Sequence, residues 1–130
     1  MGIGGAAPAE ELTAIGVRVS AGRLEDVPRD RCVAVAGGAA VLARTGDGVV
    51  AFENRCLHQN SELADGLIHN EILICPMHFW RYRLPAGRHM GSKDRLVGFP
   101  TELVDGEVWV DVPEPEYRRM ADRSLAGESA

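Results

Sequence analysis

No run of 18 or more apolar residues occurs in this 130-residue chain, so no membrane-spanning helix is expected. Positive charge is also scarce. The chain has 14 Lys and Arg against 19 Asp and Glu, a net charge of −5, which argues against nucleic acid, bound mainly through cations on phosphate. An acidic protein instead suits docking on a basic face of a partner. No basic region precedes an apolar run in residues 1–16, where Pro8, Glu10 and Glu11 interrupt the apolar residues, and no twin-arginine pair occurs there. A secretory signal is therefore not expected. There are only three cysteines, an odd number without a disulfide framework, which fits a reducing cytoplasm. No internal repeat and no helix-period segment is visible in residues 17–112, while 15 Gly and 7 Pro point to many turns. The length allows one domain.

What is present reads as short strands with turn punctuation. After a flexible leader over residues 1–16, Val17-Arg18-Val19-Ser20 alternates as a half-buried strand. Cys32–Ala36 and Ala39–Arg44 flank Gly37-Gly38, the spacing of a two-residue hairpin. Thr45–Gly48 then turns the chain into Val49–Phe52, which makes an antiparallel meander. Leu67-Ile68 and Ile72–Ile74 surround His69-Asn70-Glu71 as a further hairpin, and Phe79–Leu84 alternates aromatic and basic residues. Thr101–Val104 and Glu107–Val112 meet across Asp105-Gly106, a strong hairpin signal. The fold class is all-β, a small antiparallel sandwich or barrel base with a second subdomain inserted into it. Residues 113–130 form a polar tail, in which Tyr117, Met120, Ala121 and Leu125 stand loosely at helical spacing.

The chemistry concentrates between Cys56 and His78. Cys56-Leu57-His58 is followed, after sixteen residues, by Cys75-Pro76-Met77-His78. A single zinc usually takes like ligands in pairs from one turn, at C-x2–4-C or H-x3–5-H spacing. Here each loop mixes a thiolate with an imidazole. Mixed pairing suits a [2Fe–2S] centre in which Cys56 and Cys75 hold one iron and His58 and His78 the other. A zinc-stabilised interaction module is the weaker alternative, and buried small thiols with satisfied loop histidines are the bland one. Cys32, in an apolar run, reads as a structural buried thiol. His69 and His89 read as solvated, and neither has a paired acid or nucleophile.

The segments Cys56–Gly66 and Cys75–Tyr82 resemble the cluster-binding half of Rieske [2Fe–2S] ferredoxins, the small electron carriers of ring-hydroxylating oxygenase systems. They are similar also to the small subunit of assimilatory nitrite reductase. The resemblance covers residues 17–112 and places the cluster subdomain at about residues 54–95. It implies one [2Fe–2S] cluster per chain on Cys56, His58, Cys75 and His78, and no catalytic residue. It implies a one-electron carrier, monomeric when free, from a flavin-dependent ferredoxin reductase to a terminal oxygenase. The alternative it leaves is a non-dissociating Rieske small subunit beside a reductase large subunit. In the family the imidazole edges face solvent, so His58 and His78 would be the electron exit, rimmed by Leu57, Met77 and Phe79. Arg81 and Arg83 share one face of their strand and read as solvated first, and as a docking patch second.

Two neutral imidazoles and two thiolates place the potential above that of four-thiolate ferredoxins, within roughly −150 to +300 mV. Respiratory members of the family carry an extra cysteine pair and a serine hydroxyl at positions that Ser61, Met77 and Trp80 occupy here, so a low value is expected, raised slightly by Tyr82. Three departures from the family pattern stand out. Phe79 follows the second histidine where Gly is usual, and at positive φ it would cost about 1–2 kcal/mol. Asn60 replaces a common Gly, and Gly91–Asp94 offers no Pro for a shielding third loop.

Overall fold

The computed structural model describes residues 10–46, 48–58 and 60–114. Twelve strands follow in order: β1 (Glu10–Leu12), β2 (Gly16–Arg23), β3 (Val33–Val35), β4 (Ala40–Thr45), β5 (Gly48–Glu53), β6 (Leu67–His69), β7 (Ile72–Ile74), β8 (Arg81–Arg83), β9 (Arg88–His89), β10 (Gly98–Phe99), β11 (Thr101–Val104) and β12 (Glu107–Pro113). They form three antiparallel sheets of four strands, ordered β1-β2-β12-β11, β10-β5-β4-β3 and β6-β7-β8-β9. The first two make the base, and the third is the insertion between β5 and β10. Among the described residues, no helix is long and apolar enough to cross a membrane.

The middle sheet is covered on both faces, and its sequence shows why. Ala40-Val41-Leu42-Ala43 in β4 is apolar without alternation, as a strand buried on two sides must be. Ala40 and Leu42 face a core shared with Ala51, Val97, Phe99, Val108 and Val110, between the two base sheets. Val41 and Ala43 face the other way, into a second core with Phe52, Leu63, Leu73, Tyr82, Leu84 and Leu96. That second core also contains Cys32, Cys56 and Cys75. The middle sheet therefore serves as the floor on which the inserted subdomain is built.

Two hairpins form as their turn residues dictate. His69 pairs with Ile72 across Asn70-Glu71, and Val104 with Glu107 across Asp105-Gly106. All four turn residues have positive φ, the type I′ condition that matches strand twist. The connection at Gly37-Gly38 is longer than the two residues expected. Val35 and Ala40 close the ladder, leaving Ala36–Ala39 as a four-residue turn with a short 3-10 segment. Asn54 explains the length: its backbone N–H donates to the Ala39 carbonyl at 3.1 Å and its side-chain amide to the Gly38 carbonyl at 3.0 Å. Those carbonyls are drawn out of the β3–β4 ladder toward the first ligand-bearing loop.

A further correction concerns the expected leader. Within it, Glu10–Leu12 pairs with Val17–Val19 as β1, because Thr13 turns the chain back through its N–H to the Gly16 carbonyl at 2.8 Å and its hydroxyl, which accepts the Gly16 N–H at 2.9 Å. The remaining leader residues 1–9 and the tail from 115, with the helical spacing from Tyr117 to Leu125, lie outside the described residues.

Cys32 is buried where base and insertion meet. Its N–H donates to the Gly66 carbonyl at 2.9 Å, its carbonyl accepts from Asp65 N–H at 3.0 Å, and its thiol donates to the Leu63 carbonyl at 2.9 Å. Burial pushes this thiol up from 9.0 to about 11. The folded value lies above the unfolded one, so the stability contributed by the neutral thiol is complete below about pH 9 and disappears as the pH climbs through 11. Urea midpoints between pH 8 and 11 are expected to show Cys32→Ala losing about 2–3 kcal/mol less than the parent over that window. Parallel curves for the two proteins would contradict this account of Cys32.

Candidate functional site

The two loops that carry the sequence motif meet above the middle sheet. Residues 54–66 lead from β5 to β6, and residues 75–80 join β7 to β8. The β6–β7 hairpin between them is tight, so the distance from one loop to the other is short and fixed. Gly66 is needed at the hairpin's entry: a Cβ there would lie 2.7 Å from the Ile74 carbonyl and 2.9 Å from that of Leu63.

Each loop is braced by its own backbone. Cys56 N–H donates to the Ser61 carbonyl at 2.7 Å, and Asn60 N–H returns to the Cys56 carbonyl at 2.9 Å. In the second loop Cys75 N–H donates to the Trp80 carbonyl at 2.9 Å and Phe79 N–H to the Cys75 carbonyl at 3.0 Å. Both closures require a left-handed residue, and these are Asn60 at φ 59° and Phe79 at φ 61°. Asn accepts that conformation readily. Phe79 does not, so the departure from glycine noted in the sequence is a strained position costing about 1–2 kcal/mol. Asn54 then ties the first loop to the base, its Oδ1 accepting the N–H groups of Leu63 at 2.8 Å and Ala64 at 3.0 Å.

All four residues singled out by the motif come together. Cys56 and Cys75 are fully buried, and His58 and His78 sit nearer the surface, with ring centroids 4.6 Å apart, edge to face. Thiol thus lies by thiol and imidazole by imidazole, each pair drawing one member from each loop. His78 Nδ1 is buried and has no hydrogen-bond partner among the described residues. A buried ring nitrogen left without a proton donor or acceptor is costly, and a metal ion would satisfy it. Two donors of one kind beside two of another fit a binuclear group better than one tetrahedral zinc.

Around the sulfurs the polar contacts are few and specific. The Tyr82 hydroxyl lies 3.1 Å from Cys56 Sγ and accepts the Leu57 N–H at 3.2 Å. Burial, with Cys56 beside it, pushes the Tyr82 phenol up, so it stays protonated and able to donate to sulfur. The Ser61 hydroxyl approaches Cys75 Sγ at 3.9 Å. Burial raises the Cys56 thiol above its ordinary value, against the contact from Tyr82. For Cys75 burial again works upward, but the backbone N–H groups of Met77 and His78, with Cys56 and the Ser61 hydroxyl, outweigh it and bring the thiol below its ordinary value. The second loop is thus arranged to stabilise a thiolate.

Of the residues expected to be solvated, His69, Arg81 and Arg83 are exposed. His89 is not: it lies in β9, half-buried, with its ring stacked on Trp80 at 4.0 Å. Trp80 stacks in turn on His58 at 4.5 Å. Residue spacing could not reveal this, because His89 reaches Trp80 only through the pairing of β8 with β9, Tyr82 opposite His89. Asn54 was missed for a similar reason, since its three kinds of partner are distant in the chain.

A small two-loop β domain with two thiols and two imidazoles converging is the architecture of an iron–sulfur electron-transfer module. The model of the Rieske [2Fe–2S] domain matches residues 18–96, and the chain belongs to that family. It accordingly carries one [2Fe–2S] cluster. Among curated proteins it is 24% identical over 103 residues to the 3-phenylpropionate/cinnamic acid dioxygenase ferredoxin subunit of Shigella sonnei, covering 76% of this chain and 97% of the relative. Among solved structures it is similar to a chain in the complex of reduced oxygenase and oxidized ferredoxin in carbazole 1,9a-dioxygenase, with 25% identity, TM-score 0.63, and 75% and 94% of the two chains covered. The fold is shared also with a putative NADH-dependent nitrite reductase small subunit from Mycobacterium tuberculosis, at 19% identity and TM-score 0.61 over 74% of this chain and 95% of that one. By family and relatives it is an electron-transfer component of the ferredoxin kind.

Proposed function

We propose that Cys56 and Cys75 hold one iron of the cluster and His58 and His78 the other, and that the chain is a one-electron carrier from a flavin-dependent reductase to a terminal oxygenase. The observation that carries the ligand assignment is the pairing just described, together with the unpartnered His78 Nδ1 in the site. When bound, the cluster supplies a one-electron couple. The protein's own part is to keep water from the sulfurs, hold Tyr82's hydroxyl on Cys56, and present the imidazole end at the surface.

The surface around His58 and His78 supports docking there. Phe79 is 71% exposed and Met77 61%, beside the exposed His58 and the half-buried Leu57. An exposed aromatic ring held at a strained backbone position contributes nothing to folding that glycine would not, which is how a site kept for recognition looks. The relative solved in complex with its oxygenase supports an oxygenase as acceptor, and the net charge of −5 supports a basic counterface. The expected reductase, monomeric state and cytoplasmic location belong to the same reading.

Protein purified without oxygen is expected to contain two iron and two acid-labile sulfides, and Cys75→Ser or His78→Ala to lose them. A colourless parent chain that binds zinc alone would overturn the assignment. Tyr82→Phe should retain the iron and lower the midpoint by about 20–60 mV, the worth of one hydrogen bond to a reduced, more negative centre. An unchanged midpoint would mean that the hydroxyl does not reach a ligating sulfur. Phe79→Gly should stabilise the fold by up to about 1 kcal/mol and slow electron delivery to the cognate oxygenase by about tenfold, as loss of an interface anchor does. If transfer is unaffected in stopped-flow measurements, Phe79 is not part of the docking face. Co-elution with a large reductase subunit, in place of reversible delivery, would turn the reading from free carrier to bound subunit.

A further inference from the structure

We propose that His89 and Trp80 act as positioning residues that lock the ring plane of His58. The inference rests on His58 being an iron ligand. An exposed imidazole joined to the chain at Cβ and to a metal through one nitrogen keeps a rotation about that axis, and something must stop it. Here the stop is a wedge of two rings. Trp80 lies against His58 at 4.5 Å with the planes 24° apart, and His89 lies against the far face of Trp80 at 4.0 Å and 17°. The three rings form one column, with the candidate ligand at its exposed end and two half-buried rings behind it.

The far end of the column is anchored by the loop after β9. His89 Nδ1 is 2.9 Å from the Ser92 hydroxyl, which also lies 3.4 Å from Asp94 Oδ2 and accepts the Asp94 N–H at 3.2 Å. The Nδ1–Ser92 contact holds the orientation of the His89 ring. His89 N–H also donates to the Asp94 carbonyl at 2.9 Å. Gly91 leaves room for the ring: a Cβ there would lie 3.1 Å from His89 Cε1. His89 further touches the Tyr82 ring at 5.6 Å, and Tyr82 is the residue on Cys56 Sγ. One side chain thus backs both the ring on His58 and the hydroxyl on Cys56. The segment that lacks the proline expected of a shielding loop does its work through this stack.

Ring-for-ring substitution separates positioning from bulk packing. His89→Leu and Trp80→Leu should keep two iron per chain, broaden the EPR signal of the reduced protein, and raise the rate at which a chelator strips iron by about tenfold. His89→Phe and Trp80→Phe, which preserve a flat ring, should stay close to the parent in both measurements. Should Trp80→Leu fail to fold by circular dichroism, the half-buried His89 pair decides alone. Leu variants identical to the parent would overturn the proposal, and so would Phe variants as altered as the Leu ones. Loss of the ligand assignment itself is recognised separately, by His58→Ala retaining both irons and an unchanged spectrum.

Discussion

Everything in this protein depends on two loops, sixteen residues apart in sequence, delivering buried sulfur to a common point. Thiolates in an apolar surrounding repel one another and resist burial, so neither loop gains by approaching the other unless a metal group is there to be shared. The chain meets that cost with stiffness. A two-residue turn joins the loops, Gly66 removes the side chain that would hold them apart, and backbone hydrogen bonds close each loop on its own cysteine. The base beneath supplies a sheet buried on both faces, so the floor of the site cannot shift without disturbing two cores.

Rigidity of that kind is bought at Phe79 with a backbone conformation that an aromatic residue adopts unwillingly. The same residue is among the most exposed large apolar side chains, next to the histidine end. Strain and exposure coincide at the histidine end, whereas the cysteine end is sealed under Tyr82, Leu63 and Leu73. The sulfur end is therefore enclosed in apolar side chains, and the imidazole end is the one that reaches the surface.

Cys32 shows how the insertion is joined to the base. It belongs to neither the ligand set nor a disulfide, yet its backbone and thiol together make three hydrogen bonds across the junction. Asn54 does the corresponding work at the other side, holding the β3–β4 turn with one end of its amide and the first loop with the other. With the shared core, these two residues help to tie the subdomain to the base.

Local pattern was enough for much of this. Alternation and Gly- or Asn-containing turns located β2, the β6–β7 hairpin and the β11–β12 hairpin, because period and positive φ are properties of a few consecutive residues. The four candidate ligands were equally legible, since mixed Cys and His in two short loops is a chemical signature that needs no fold to be recognised. The Gly37-Gly38 turn was misjudged by two residues because Asn54, fourteen or more positions away, competes for its carbonyls. The pairing of Glu10–Leu12 and the stacking of His89 on Trp80 were hidden for the same reason. Sequence by itself determined which groups could bind metal and where the chain must turn. Only the tertiary structure decided which distant side chains brace those groups, because such contacts arise from strand pairing, and pairing brings together residues whose separation along the chain carries no signal.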